Sequence, residues 1–289
     1  MRRPLRSRVG FERIVTRTRR EVKHARLRLW PAPPADHPLL HVIGCQRSGT
    51  TMLTQLLDRD PAVRVHGELE DLFEDVPRHH RMKDAADVRR RLQRSGAALD
   101  VVKPLVESHR CAELLQLQDR AVALWMFRHY SDVASSNLRR FGLDNGHRNL
   151  RAIVDDAPGD WRNAGISPGL RATVRELASN DLTPHDAAAL FWYCRNTLFA
   201  EQRLDADPRV RTCRYEDLVA DPRSVLAALY AWVGLPDPAV AAVDMVHDRS
   251  VGKGSALELS SPVRLLCDTM WRDLLEADRT CRLMARGRA

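Results

Sequence analysis

The sequence predicts an α/β protein, a three-layer fold with a mainly parallel central sheet flanked by helices and a P-loop-like phosphate-binding loop on its first strand. Three observations carry this reading. Short apolar runs of strand length alternate with stretches of helical period along the 289 residues. One run, Ala121-Val122-Ala123-Leu124-Trp125-Met126-Phe127, is apolar throughout, as for a strand covered on both faces, and it ends in Arg128. The third is the passage from Leu39–Ile43 through Gly44-x-x-x-x-Gly49 into a helical stretch from Thr50 to Leu57. In such a strand–turn–helix unit, converging backbone N–H groups and the helix N-terminus hold an anion.

The glycine spacing is that of a P-loop, but the lysine that would follow Gly49 is Thr50, and the cation is Arg47 instead. A loop of this kind is poorly equipped for the β- and γ-phosphates of a nucleoside triphosphate. Arg47, Ser48, Thr50, Thr51 and the backbone can still hold a shorter anion.

The remaining elements follow in chain order. From Met1 to Trp30, eleven Arg and Lys face two Glu, a net +9 in a chain whose total is +8, so the rest sums to −1. The basic character therefore belongs to an arm. Phe11, Ile14, Val15, Val22, Ala25 and Leu29 fall on one helical face of that arm. A basic amphipathic helix suits an anionic membrane surface, a partner, or its own domain. Pro31-Ala32-Pro33-Pro34 ends the arm, giving residues 1–37 as arm and linker and 38–289 as the domain.

Val63 and Val65 mark a short strand ending at Gly67-Glu68, and residues 76–98 read as a surface helical region. Val101-Val102 ends a strand with Lys103 at its tip. After Arg128 a helix starts, with Ser131 or Asp132 as N-cap. Residues 141–185 read as an insertion or lid, and 141–200, with Trp161, Phe191, Trp192 and Tyr193, as a cap over an acceptor site. A long helix follows Thr183-Pro184-His185-Asp186, then a strand at Val210–Tyr215 and a helix from Ser224 ending at Gly234. The stretch 248–261, with Gly252-Lys253-Gly254, reads as a loop before a terminal helix.

No run of 18 apolar residues and no apolar signal segment occur, and six scattered cysteines lack C-x-x-C spacing. The expectation is a cytoplasmic protein with neither disulfide framework nor zinc, peripheral to a membrane at most through residues 1–30. A near-neutral domain argues against nucleic acid as partner.

Three motifs together resemble the sulfotransferase family that uses 3′-phosphoadenosine 5′-phosphosulfate (PAPS). Arg47-Ser48-Gly49-Thr50-Thr51 resembles the family's 5′-phosphosulfate loop. Arg128 with Ser136, across Asp132-Val133-Ala134-Ser135, resembles its 3′-phosphate site. Arg214-Tyr215-Glu216-Asp217-Leu218-Val219 with Asp221-Pro222 and Gly234-Leu235-Pro236 resembles its third segment, in which the Tyr lies by the adenine. The resemblance spans roughly residues 38–285.

It implies sulfuryl transfer from PAPS to a hydroxyl or amine of a small-molecule, lipid or saccharide acceptor, releasing adenosine 3′,5′-bisphosphate (PAP), with no metal. Donor binding is carried over to Arg47, Ser48, Gly49, Thr50, Thr51, Met52, Arg128, Ser136, Tyr215 and Lys253. Met52 stands where the family has an adenine-stacking Trp, a departure. The catalytic set is Glu68 as base, Arg47 at the leaving oxygen and Lys103 facing the sulfuryl group. Glu68 lies 21 residues after Arg47, the spacing in the tyrosylprotein branch. Glu70 stands where that branch has an Arg, so substrate handling differs. His66 is the rival base, since cytosolic members use a His. The alternatives are a P-loop kinase or NTPase, and a non-catalytic binding protein acting through the arm.

Overall fold

Strand β1 (Leu39–Gly44) is the centre of a five-stranded sheet in the order β2-β5-β1-β6-β7. Its partners are β2 (Val63–His66), β5 (Leu99–Val102), β6 (Ala121–Phe127) and β7 (Val210–Arg214). Every pairing in this sheet is parallel. The computed structural model describes residues 22–23, 25–27, 37–67, 72–76, 79–178, 181–238, 251–254 and 257–283.

The three layers follow from strand alternation. Successive side chains point to opposite faces. Leu39 and Ile43 of β1, with Trp125 and Phe127 of β6, belong to one buried cluster. Leu40 and Val42, with Leu124 and Met126, belong to the other. The first face is covered by α4 (Tyr130–Phe141), α5 (Asn145–Val154), α7 (Pro184–Glu201) and α10 (Ser261–Cys281). The second is covered by α1 (Thr50–Leu57), α8 (Tyr215–Ala220) and α9 (Pro222–Val233). Both strand faces need apolar residues, which is why β6 reads as a continuous run and β1 is apolar from Leu39 to Ile43 except at His41.

The elements between are shorter. β3 (Phe73–Val76) and β4 (His79–Met82) form an antiparallel pair, followed by α2 (Ala85–Leu92) and, after β5, by α3 (Cys111–Leu114). This corrects the helical reading of residues 76–98. The Arg-rich stretch is helical only from Ala85, while Phe73 and Met82, both buried, face each other across the pair. In the region read as an insertion or lid, α5 and α6 (Pro168–Ala178) pack Leu150, Ile153 and Val174 into the core. The described part of the arm touches its own domain, with Leu27 buried and the Lys23 ammonium 2.6 Å from the Asp58 carboxylate. Residues 1–21 lie outside the described residues. Among the described residues, no helix is long and apolar enough to cross a membrane.

His41 lies fully buried in the middle of β1, and burial lowers its pKa from 6.5 to about 4. A histidine held neutral contributes stability that is present above 6.5 and lost as pH falls towards 4. His41 alone should account for about 3 kcal/mol of the stability lost between pH 7 and pH 4 in urea unfolding, the worth of a shift of this size. His41→Leu should flatten that slope. Asp100 acts lower. Burial alone would raise its pKa, but hydrogen bonds with His37, His66 and Ser95 outweigh burial and hold it at about 2. Its contribution is lost only as pH falls below the ordinary carboxylate range towards 2.

Candidate functional site

Because the sheet is wholly parallel, the carboxyl ends of β5, β1, β6 and β7 lie side by side on one edge. They carry Lys103, the loop 45–49, Arg128 and Tyr215 in that spatial order. Chain order reverses direction beside β1, whose neighbours β5 and β6 come later in sequence, and such a switch point is where open α/β sheets bind ligands.

The loop after β1 is built for close backbone approach. Arg47 sits in the left-handed region at φ 69° and Gly49 at φ 91°. A Cβ on Gly49 would collide with the Tyr215 ring, so only glycine lets the loop close onto α8. The first hydrogen bond of α1 runs from the Leu53 N–H to the Gly49 carbonyl, 3.0 Å. The N–H groups of Thr50, Thr51 and Met52 precede it and face out of the helix end. Ser48 is fully buried, and its hydroxyl has no hydrogen-bond partner among the described residues. A buried hydroxyl without a partner beside three outward N–H groups fits a bound oxyanion.

Cations converge on the same loop. The Lys103 ammonium donates to the Thr51 hydroxyl at 3.3 Å. Arg47 donates from Nε to the Ser136 hydroxyl of α4 at 3.1 Å, across from the loop. The Arg128 guanidinium lies 4.2 Å over the Tyr215 ring and 3.3 Å from Asp132. Burial, then the charges of Arg128, Arg140 and Arg139, hold the Arg47 pKa below its ordinary value. Like charges held together in the unliganded fold oppose its stability, and an anion would relieve the repulsion. The arrangement has two ends, Lys103 with Thr51 and Arg128 with Ser136, and Arg47 lies between them. It suits a ligand with two separated anionic groups. Burial pushes the Cys45 thiol, at the start of the loop, up to about 12, which keeps it protonated.

Residues 38–163 match the family model described as Sulfotransferase family. Over that segment, the chain resembles the sulfotransferase family. No curated protein matches the chain. Solved structures that share its fold include two sulfotransferase domains. The sulfotransferase domain of the Synechococcus PCC 7002 olefin synthase is 17% identical, with 85% of this chain and 98% of that one covered and a TM-score of 0.54. The sulfotransferase domain of the curacin biosynthetic pathway is 15% identical, with 82% and 97% covered and a TM-score of 0.55.

Within this sulfotransferase-like fold, the expected site residues fall in different places. Arg47, Ser48, Gly49, Thr50, Thr51, Arg128 and Ser136 come together with Lys103, and half-buried Met52 follows on α1. Lys253 lies on an exposed turn that docks on α4 through Gly252 and Gly254. Tyr215 is buried, and its ring fills the space between Gly49 and Arg128, where it props the two halves of the site. Glu68 lies outside the described residues, two positions beyond the last residue of β2.

His66 is placed against a role as base. It is buried, and its Nε2 is 2.7 Å from Asp100. The same carboxylate takes His37 at 2.6 Å and the Ser95 hydroxyl at 2.7 Å. This is a core network that locks β2 to β5.

Two further expectations are corrected. The cap of α4 is His129, whose Nδ1 accepts the Ser131 N–H, and neither Ser131 nor Asp132 fills that role. Asp132 is committed elsewhere. Trp161, Phe191 and Trp192 wall no open acceptor site, because all three are core residues. Trp161 packs edge-on to Phe191, and Trp192 donates its indole N–H to the Arg128 carbonyl at 3.0 Å. That bond pins the end of β6 and, with it, the backbone of Arg128.

Proposed function

We propose that this chain transfers the sulfuryl group of PAPS to a hydroxyl or amine acceptor and releases PAP. The observation that carries the reading is the pair of anion-binding ends joined by Arg47. PAPS presents a 5′-phosphosulfate and a 3′-phosphate on one adenosine, so a single phosphate cradle would not be enough. The loop 45–51 with Lys103 suits the first group. Arg128 and Ser136 suit the second. A nucleoside triphosphate would place its charge in one chain and leave the Arg128 end unused.

In the proposed reaction the acceptor oxygen attacks sulfur in line with the bridging oxygen. The new S–O bond forms as the S–O bond to the 5′-phosphate breaks, and PAP departs with the electron pair. The acceptor proton passes to Glu68. Negative charge grows on the bridging oxygen, where the Arg47 guanidinium and the loop N–H groups are suited to stabilise it. Lys103 serves the sulfuryl oxygens. The chemistry asks for no bridging metal, in keeping with a loop that lacks the P-loop lysine. Contact of residues 1–30 with an anionic membrane surface belongs to the same proposal and would favour acceptors at that surface.

The test is sulfur-35 transfer from labelled PAPS in the presence of EDTA, with phenol, sterol, saccharide and lipid hydroxyls as acceptors and PAP formation as a second readout. Labelled product with stoichiometric PAP is the expected result. Label transfer that requires Mg²⁺, or ATP consumption in place of PAPS, would count against the proposal.

A further inference from the structure

We infer that Asp132 is the positioning residue that gives the donor site its preference for a 3′-phosphate, by clasping Arg128 and the turn 251–254 together; this rests on the donor reading above. Asp132 lies in the first turn of α4, 3% exposed. Burying a carboxylate is costly unless charge and hydrogen bonds meet it. Its partners come from two places far apart in the chain. One oxygen takes the Gly254 N–H at 2.8 Å, and the other takes the Gly252 N–H at 2.9 Å. The second oxygen also lies 3.3 Å from the Arg128 guanidinium. One side chain therefore fixes the cation at the end of β6 and the backbone on both sides of Lys253.

The glycines are what make the clasp possible. Gly252 has φ 74°, in the left-handed region. A Cβ on Gly254 would collide with the Ser131 carbonyl, so any larger residue there holds the turn off α4. The far end of the segment is anchored in the same manner. The Asp186 carboxylate, in the first turn of α7, accepts the Ser260 N–H at 2.9 Å. Two first-turn aspartates thus hold the ends of 251–260. Only Asp132 also touches a residue of the anion site. Removing its charge should loosen Arg128 and the turn together, at the end of the site that meets the 3′-phosphate, and leave the loop 45–51 unchanged.

The effect separates a positioning role from a general loss of stability, because it is read as a ratio of two affinities. Titration calorimetry on the full chain with PAP and with adenosine 5′-phosphate, which lacks the 3′-phosphate, should show a preference for PAP. Asn at 132 can accept only one of the two N–H groups and carries no charge. Asp132→Asn should cost at least tenfold in PAP affinity, while adenosine 5′-phosphate changes less than threefold. Gly254→Ala, which attacks the clasp from the turn, should lower the same ratio with Asp132 intact. A ratio unchanged in both variants, with wild-type preference for PAP, would overturn the inference and leave the donor reading standing. Equal affinity of the wild-type protein for the two nucleotides would overturn both.

Discussion

Replacing Arg47 by alanine is expected to lower kcat/KM for the sulfuryl donor by about a hundred- to a thousandfold, the usual cost of losing one donor at a developing oxyanion. The same substitution should leave the unliganded fold as stable as before. Arg47 is held beside Arg128, Arg139 and Arg140, which depress its pKa after burial has done so. Removing it relieves that repulsion and costs only the bond to the Ser136 hydroxyl. Arg47→Gly should unfold at higher temperature than wild type, since φ 69° costs a non-glycine residue roughly 1–2 kcal/mol. A stabilised variant without activity would show that the loop is strained and charged for ligand binding. If Arg47→Ala retained full activity, the charge joining the two ends of the site would have no part in the reaction.

The second large effect concerns the base. Glu68→Gln should lower turnover by about a hundred- to ten-thousandfold, the contribution typical of a positioned proton acceptor. PAP affinity should stay within a few-fold of wild type, because the carboxylate has its task at the acceptor. His66→Gln should behave differently. His66 is buried against Asp100, so its loss should lower thermal stability and spare the pH dependence of turnover. Steady-state rates across pH 5–9 for the two variants separate the roles. Loss of the acidic limb in His66→Gln with Glu68→Gln fully active would reverse the assignment.

How far the site could be read from the chain depended on the range of the interactions. The strand–loop–helix at 39–57 was legible because its signals are local: a short, largely apolar strand, two glycines at fixed spacing and a helical stretch. Lys103 and Arg128 were legible because each ends an apolar strand, and a parallel sheet sends all such ends to one edge. The α4 cap was misread because the carboxylate best suited to capping, Asp132, is taken by Gly252 and Gly254, some 120 residues on. His66 stood as the rival base because its partner Asp100 lies 34 residues away, beyond the reach of a local reading. The hairpin at 73–82 was missed because its charged residues overwhelm a strand signal limited to Phe73, Val76 and Met82. Trp161 and Phe191 suggested a pocket wall, and only their packing against each other reveals them as core.

The most direct measurement is thermal unfolding of the full chain with PAP, with adenosine 5′-phosphate, and with ATP plus Mg²⁺, all at one concentration, a hundredfold over the Kd for PAP. Ligand at a hundredfold over its Kd stabilises a fold by about 2.7 kcal/mol. For a chain of this size that is a rise of several degrees, at roughly 2–4 °C per kcal/mol. That rise is expected for PAP, with a smaller one for adenosine 5′-phosphate, and with its loss in Ser136→Ala combined with Arg47→Ala. A rise only with ATP and Mg²⁺, or no rise with PAP, would contradict the assignment of a two-anion donor site at this edge of the sheet.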